Sequence, residues 1–579
     1  MAEVQKAESV VSIAVDFGTA YSGYCFKFKK SKQIRMPKWG LEFGHDTLKT
    51  PTCILFDENK QFLNFGYDAI ETYNRHKSRE EAKRLYLFDN FKMELYGKEL
   101  NRALMITSKN GKKMRAIKVF SESLKFMKDH ALKMIGDHTA GMEYSACDAT
   151  WVLTVPAIWS PAAKQFMREA AVQAGLIRGN DPERLIVALE PEAASVWCKQ
   201  LPYDGFLEGD LGESDKIEDE PETQYMVVDC GGGTIDITVH EVMEGGRLKE
   251  LHKVSGNNMG GQTVDKNFRE FLRKTLTEKV FDELEEKYPT ELYRLMCDFS
   301  VCKRSGSNGM VQCPSALVQT VGEKQLQDCF RGVSGAVWEN GSILLRKEKI
   351  ESFHEDSLRA IEKQIREILK RPELNISYIF VVGGFALSPY VKGLVRGKFN
   401  RGEECSVLCP VDAQAAVLKG AVTFSTQPNI IQSRISLYTY GIATSEQFDE
   451  IKHKGRSSFE NRDGVKFCNC RFYFFVKKDE SIRFDEDREF SFCPVERDQT
   501  ELNFRFYRTE SKTVQYVDEE GVEEFGLIRV ELPTAKKSRE QSVRLKIKFG
   551  FTEMMATITD RKGHKTDAKL DFMTESLVL

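Results

Sequence analysis

The chain has almost no charge bias. Its 84 Lys+Arg stand against 87 Asp+Glu, a net charge of −3 over 579 residues. That excludes binding of a polyanion through bulk positive charge, and no nucleic-acid partner is expected. No run approaches the ~18 consecutive apolar residues of a membrane helix, so no membrane span is expected. The opening MAEVQKAESVVSIAVDFGTA lacks the basic segment and apolar core of a secretory signal. The 14 cysteines are scattered from Cys25 to Cys493. Without a signal they read as reduced thiols of a cytoplasmic protein, with nuclear access open. Cys468-x-Cys470 is the closest pair with ligand-like spacing, but no further ligands stand at zinc spacing. Residues two apart on a strand share a face, which favours packing over metal.

What the chain does have is a globular composition, 41% hydrophobic and 30% charged. Its length corresponds to about three to five structural units. Residues 12–28 read as strand, glycine turn, strand around Asp16-Phe-Gly18-Thr19. The segment 226–239 repeats the plan around Asp229-Cys-Gly231-Gly232-Gly233-Thr234-Ile-Asp236. Asp229 follows Asp16 by 213 residues, far beyond a solenoid period. A long-range duplication into two α/β lobes is expected. Ser160-Pro161 opens a helix over 162–174, with Gly175 as its cap. Segments 119–135 and 358–369 carry the helical period. Residues 208–222 hold eight acids and one lysine and read as a solvated surface loop. After Pro428 the helical period fades. Segments 502–506, 527–532 and 543–549 alternate apolar and polar residues, as half-buried strands do. The expected organisation is an N-terminal tail over 1–9, lobe I over 10–205, an acidic loop over 206–223, lobe II over 224–428 and an all-β domain over 429–579.

Four glycine-bearing turns follow apolar strands: Gly18-Thr19, Gly231-Gly232-Gly233, Gly260-Gly261 and Gly383-Gly384. Glycine lets backbone N–H groups approach an anion, and consecutive N–H groups form a nest for phosphate. Asp16 and Asp229, one per lobe, suit a hydrated Mg²⁺, a hard cation that keeps several waters and needs few carboxylates. A lone Asp at such a turn is ordinary turn capping. Its duplication favours the metal-facing reading. Thr19 and Thr234 then stand where a hydroxyl reaches a phosphate oxygen.

These motifs resemble, in order, the nucleotide-binding domain of the 70-kDa heat-shock protein family. The carriers are Ala14-Val-Asp16-Phe-Gly18-Thr19-Ala20-Tyr21-Ser22, Thr154-Val-Pro156-Ala157, Glu190-Pro191-Glu-Ala-Ala194, 229–236 and Val381-Val-Gly383-Gly384. The strings 151–159, 164–170 and 188–195, with Lys92 in Phe91-Lys92-Met93, are similar to its divergent heat shock 70 kDa protein 12 branch. The resemblance implies an α/β actin-like ATPase fold of duplicated ribonuclease-H-like lobes, followed by the all-β domain. It implies ATP or ADP with Mg²⁺ in an interlobe cleft. Asp16 and Asp229 hold the metal through waters, while Lys92, Glu190, Asp229 and Thr234 act on the attacking water, the metal waters and the γ-phosphate. Gly18, Thr19, Ala20, Tyr21, the glycines of the other turns, Lys303, Arg304 and Phe385 line the nucleotide. Pro156 relays nucleotide state, with Lys164 standing where the family's relay has arginine. Alone, Lys92 reads as a solvated lysine, Glu190 as a helix-start acid and Pro156 as a strand terminator.

The departures are specific. Phe385-Ala-Leu387 follows Gly384, where the family places Ser and a base-stacking Arg, so Phe385 or Arg304 is left to stack on adenine. Ser300 stands near an expected acid, Ala20 replaces a hydroxyl and Gln262 replaces an acid. ATP binding with slow hydrolysis is therefore expected. No helical lid and no acidic tail motif for helical-repeat co-chaperones is expected. The leading reading is a chaperone-like ATPase whose β domain engages a client polypeptide or a signalling protein. A nucleotide-sensing scaffold and a small-molecule kinase of the same superfold are the alternatives.

Overall fold

The computed structural model describes residues 9–75, 83–178, 181–207, 220–496, 499–532, 542–549, 553–559, 563, 565–568 and 571–573. Most of the expected acidic loop, nearly all of the 1–9 tail and the last six residues lie outside the described residues.

Strands β1 (Val11–Phe17) and β2 (Tyr21–Phe28) form the first antiparallel hairpin, and β2 continues to the short edge strand β3 (Thr50–Pro51). On its other side β1 pairs in parallel with β4 (Ala149–Val155), and β4 with β5 (Leu185–Leu189). Both faces of this sheet are covered, so β1 is apolar nearly throughout rather than alternating. Val11, Ile13, Val15 and Phe17 pack under helices α1 (Ala116–His138) and α2 (Pro161–Gln173). Helix α2 starts as its sequence predicts: the Ser160 hydroxyl accepts the Ala163 N–H at 3.3 Å, and Gly175 turns the chain at φ +72°.

The second lobe repeats the plan strand for strand. Its strands are β6 (Gln224–Cys230), β7 (Ile235–Val242), β8 (Leu248–Asn257), β9 (Ile376–Val382) and β10 (Ser406–Leu408). The order β10-β9-β6-β7-β8 matches β5-β4-β1-β2-β3 of the first lobe. Helices α4 (Gly261–Leu276), α5 (Pro289–Cys302) and α6 (Lys347–Leu369) belong to its outer side, and Val264, Phe268, Ile361 and Ile365 cover Met226 and Val228. The other faces of the two sheets share one core. There Ala14, Val152 and Ala188 meet Val227 and Phe380 through α3 (Glu190–Cys198) and α7 (Ala416–Phe424). The two helices cross with their backbones in contact: a Cβ on Gly420 would lie 1.6 Å from the Ala193 carbonyl oxygen.

Beyond Ile430 every described element is a strand. β11 (Ile431–Ile435) does not leave the second lobe; it pairs in parallel with β8, so the lobe II sheet runs past the expected boundary at 428. β12 (Thr439–Gln447), β13 (Ser458–Glu460) and β14 (Lys466–Val476) follow. β15 (Ser481–Arg483) returns to pair with β11, making the lobe II sheet seven-stranded. Then come β16 (Asp487–Phe492), β17 (Glu501–Thr509), β18 (Val522–Glu531), β19 (Val543–Lys548), β20 (Met555–Thr559) and β21 (Lys565–Ala568). They form two sheets, β13-β14-β12-β17-β18 and β16-β19-β20-β21, with Ile442, Phe475, Phe506, Leu545 and Ile547 in one core. β17 alternates exposed and buried residues, the pattern its sequence carries. Cys468 and Cys470 share the buried face of β14, sulfurs 3.5 Å apart, and all 14 cysteines are free. Among the described residues no helix is long and apolar enough to cross a membrane.

Candidate functional site

The two hairpin turns meet at the bottom of a cleft of about 1780 Å³ between the lobes. A Cβ on Gly232 would lie 2.8 Å from the Ala20 methyl, and one on Gly233 would lie 2.6 Å from Thr19 Oγ1. Only glycine permits this approach, and the methyl of Ala20 is what the second turn rests on. Asp16 is the last residue but one of β1, and Asp229 takes the matching place on β6. Thr154 Oγ1 donates to Asp16 Oδ1 at 3.2 Å, and the Lys49 ammonium is bonded to Asp16 Oδ2. Burial, followed by the carboxylates of Glu190, Asp236 and Asp16, pushes the Asp229 pKa well above the ordinary range. Gly383 stands beside Asp229 at φ +92°, where a Cβ would lie 2.4 Å from Asp229 Oδ1.

Lys92 projects from a short 3-10 turn, Phe91–Leu95, and is almost fully buried. Its ammonium donates to Glu190 Oε1 at 2.7 Å and lies 5.2 Å from the centre of the Trp159 ring. Glu190 is the first residue of α3, where the helix dipole favours a negative charge. Burial outweighs both the dipole and Lys92, and holds Glu190 up at about 7. Asp236, opposite Asp229 on the hairpin ladder, accepts the Ile158 N–H at 3.1 Å and a bond from Thr234; burial raises it to about 6. The loop after Pro156 in the first lobe is thus tied to the hairpin of the second.

Not every glycine turn offers its amides to the cleft. Gly260 and Gly261 donate to the carbonyls of Gly233 and Gly231 at 3.3 and 3.1 Å, and Gln262 to that of Gly232 at 2.8 Å. The expected anion nest at Gly260-Gly261 is therefore a brace for the second turn. The Gly383 amide likewise donates to the Ala413 carbonyl at 3.0 Å. The amides of Thr19, Ala20, Gly232 and Gly233 have no backbone acceptor among the described residues.

On the upper wall, Lys303 Nζ bonds the Gly261 carbonyl at 3.0 Å and Asp265 Oδ2 at 2.6 Å. Arg304 is exposed at the rim, its Nε on the Ser300 carbonyl at 2.9 Å. Phe385, one of two expected base-stacking groups, is buried: its ring packs against Gly261 and lies 5.9 Å from His354. Its edge reaches the cleft but its face belongs to the core, so Arg304 is the planar group left free to stack. Tyr21 lines the cleft near Arg304, and burial raises its phenol pKa. Across the top, Gln262 donates to Asn90 Oδ1, and Arg294 to the Asn74 carbonyl at 2.9 Å; both contacts tie one lobe to the other.

The residues fit a nucleotide with its metal. The amides of both hairpin turns are without backbone acceptors where the turns line the cleft, and two carboxylates from opposite lobes line the same cleft. Magnesium asks for no more than that from a protein.

The Hsp70 protein family model matches residues 68–448, a span that includes most of both lobes. The chain belongs to the Hsp70 family. Over 97% of its length it is 32% identical to human heat shock 70 kDa protein 12A, covering 92% of that protein. It is 30% identical to human heat shock 70 kDa protein 12B over 98% of this chain and 92% of the relative. It is 26% identical to the chaperone protein DnaK of Mycoplasma mobile over 58% of this chain and 49% of DnaK. This Hsp70 chain therefore falls in the 12A/12B-like branch, and its two lobes are the family's actin-like ATPase domain.

Three residues of the cleft escaped the sequence reading. Lys49 and Asp265 are polar partners reached through folding, with no local motif. Asp236 stands inside the quoted motif, and its alternation with Thr234 and Asp229 along one hairpin was the available signal. Lys164 of α2 is half-buried, and desolvation pushes its pKa down to about 8 beside Glu192 and Arg434. The two-pronged bond to Glu192 comes from Arg434 on β11, at 2.7 and 2.8 Å.

Proposed function

We propose that this Hsp70-family chain binds ATP or ADP with Mg²⁺ between its lobes and turns ATP over slowly, using cleft closure to signal to its C-terminal β region. The meeting of the Asp16 and Asp229 turns across one cleft carries this reading. Thr19, Ala20, Gly232 and Gly233 would hold the phosphates by backbone N–H groups, Asp16 and Asp229 the metal through waters, and Arg304 and Tyr21 the base side. When bound, the metal supplies neutralisation of phosphate charge. Lys92 and Glu190 would orient a water, a reading supported by the pair's burial beside both aspartates. Phosphoryl transfer needs positioning and charge more than a covalent nucleophile. Slow turnover follows from the same contacts, because Lys92 must part from a buried partner to act elsewhere.

The β region supports a polypeptide or signalling partner. Tyr473, Phe474 and Phe492 line an open groove of about 500 Å³ across its two sheets. Extended chains bind such surfaces through strand edges and side-chain pockets. A nucleotide-sensing scaffold with little turnover is the second reading, and the cross-cleft contacts of Gln262 and Arg294 favour it as a closed state already built.

The test is ATP binding and single-turnover hydrolysis on the full chain with Asp16→Ala and Lys92→Ala. Turnover lost in both supports the ATPase. Binding without turnover in the wild type supports the sensor. No binding at millimolar nucleotide sinks both.

A further inference from the structure

Lys49 is a built feature of the phosphate end of the cleft. It directly precedes β3, whose pairing with β2 sets Tyr21 opposite Pro51 and Ser22 opposite Thr50. That pairing fixes its backbone beside the first hairpin. The Lys49 carbonyl also accepts the Thr47 hydroxyl at 2.8 Å. Its stem crosses the hairpin at Gly23, where a Cβ would lie 3.0 Å from Lys49 Cγ. Gly23 is the ladder partner of Asp16, so the missing side chain opens the path by which the ammonium reaches Asp16 Oδ2. Only 13% of the Lys49 side chain is exposed. With Thr154 on Oδ1, both oxygens of Asp16 have a donor. Asp229, at the equivalent place in the other lobe, opens on the cleft without an ammonium bonded to it among the described residues.

An ammonium held this way has two consequences. A hydrated divalent cation bridging Asp16 and Asp229 competes with it for Asp16, and a buried ammonium stripped of its carboxylate is costly. A lysine beside a phosphate site also supplies a positive charge that needs no metal.

We propose that Lys49 is a resident cation of the phosphate site, competing with magnesium for Asp16, so that this chain holds nucleotide with little dependence on the metal. This rests on the nucleotide reading above.

The test titrates a fluorescent ADP analogue into the full chain, with Mg²⁺ and with EDTA, for wild type, Lys49→Gln and Lys49→Arg. Expected are a small change in wild-type affinity on EDTA, a loss of about tenfold or more in Lys49→Gln, and wild-type behaviour in Lys49→Arg. Electron paramagnetic resonance of Mn²⁺ added to the nucleotide-free chain should show tighter binding to Lys49→Gln than to wild type. A wild type that loses nucleotide on EDTA as strongly as Lys49→Gln overturns the proposal and leaves the nucleotide reading standing. So does equal Mn²⁺ binding by both. No nucleotide binding by wild type in either buffer overturns both. Should Lys49→Gln not fold, the wild-type comparison alone decides, a strong EDTA effect being the overturning result.

Discussion

Glu190 and Asp236 are carboxyls whose ionised forms the fold penalises. Burial lifts Glu190 from an ordinary 4.5 to about 7, and Asp236 from 3.8 to about 6. In the unfolded chain both lose their protons near pH 4; in the folded chain they keep them to pH 6–7. The stability they contribute is thus full below the unfolded pKa values and is lost as pH rises through the folded ones. The melting temperature of the nucleotide-free chain should fall between pH 5 and pH 8 through these two groups, and Glu190→Gln should flatten part of that fall. An unchanged slope in Glu190→Gln would show that Lys92 keeps Glu190 ionised throughout. Gly383 and Gly384 give a paired prediction. Gly383→Ala meets both a positive φ and the Asp229 carboxylate, and should cost roughly 1–3 kcal/mol and weaken nucleotide binding. Gly384→Ala meets no atom within 4 Å and should be close to neutral in the same thermal melts. What the sequence makes legible at this scale is what lies within one turn: Asp16, Asp229 and their glycines. Lys49 was not legible, because its partner is chosen by a strand pairing across Gly23.

At the scale of elements, the hairpins, α2 and the alternating strands β17 and β19 could be read from their own periods, each being a local pattern. The joints between elements could not. Glu192 and Arg434 are 242 residues apart and meet only after β11 has joined the lobe II sheet. The sequence places a domain boundary at 428 because nothing local marks the following segment as the next strand of the lobe II sheet. Its pairing matters energetically. Glu192 is buried and faces both Arg434 and the half-buried Lys164. Arg434→Met leaves Glu192 one cation, whereas Glu192→Leu leaves two cations without their carboxylate. Breaking such a buried pair costs roughly 3–5 kcal/mol, and Glu192→Leu should be the worse of the two changes. The double variant should recover part of the Arg434 loss and expose the coupling in a double-mutant cycle read by denaturant unfolding. Additive effects would mean that the pair contributes nothing beyond its separate side chains.

Across the whole molecule, helix α2 is the meeting point. It begins five residues after Pro156, whose loop is bonded to Asp236 of the second hairpin through Ile158. Its far side carries the end of the β region: Arg168 binds Glu553 at 2.7 Å, Gln165 accepts the Phe572 N–H at 2.8 Å, and Arg102 joins Glu169 of α2 to Asp571. Met573 completes the core of the first lobe. The cleft, the loop after Pro156, α2 and the β region are therefore contiguous, and contiguity becomes coupling only if α2 has two states that both ends bias. Arg102 is half exposed, so its bond to Asp571 is worth about 1 kcal/mol or less; the hold rests on Arg168, Gln165 and Met573. Arg168→Ala with Asp571→Ala should raise hydrogen exchange across α2 and leave the helices of the second lobe unchanged. Adding nucleotide to the wild type should alter exchange in α2 and in β11, and the double variant should lose the response in α2 while keeping that of the cleft turns. Were nucleotide to leave α2 unchanged in the wild type, the β region would be a fixed buttress of the first lobe, and the cleft would close without informing it.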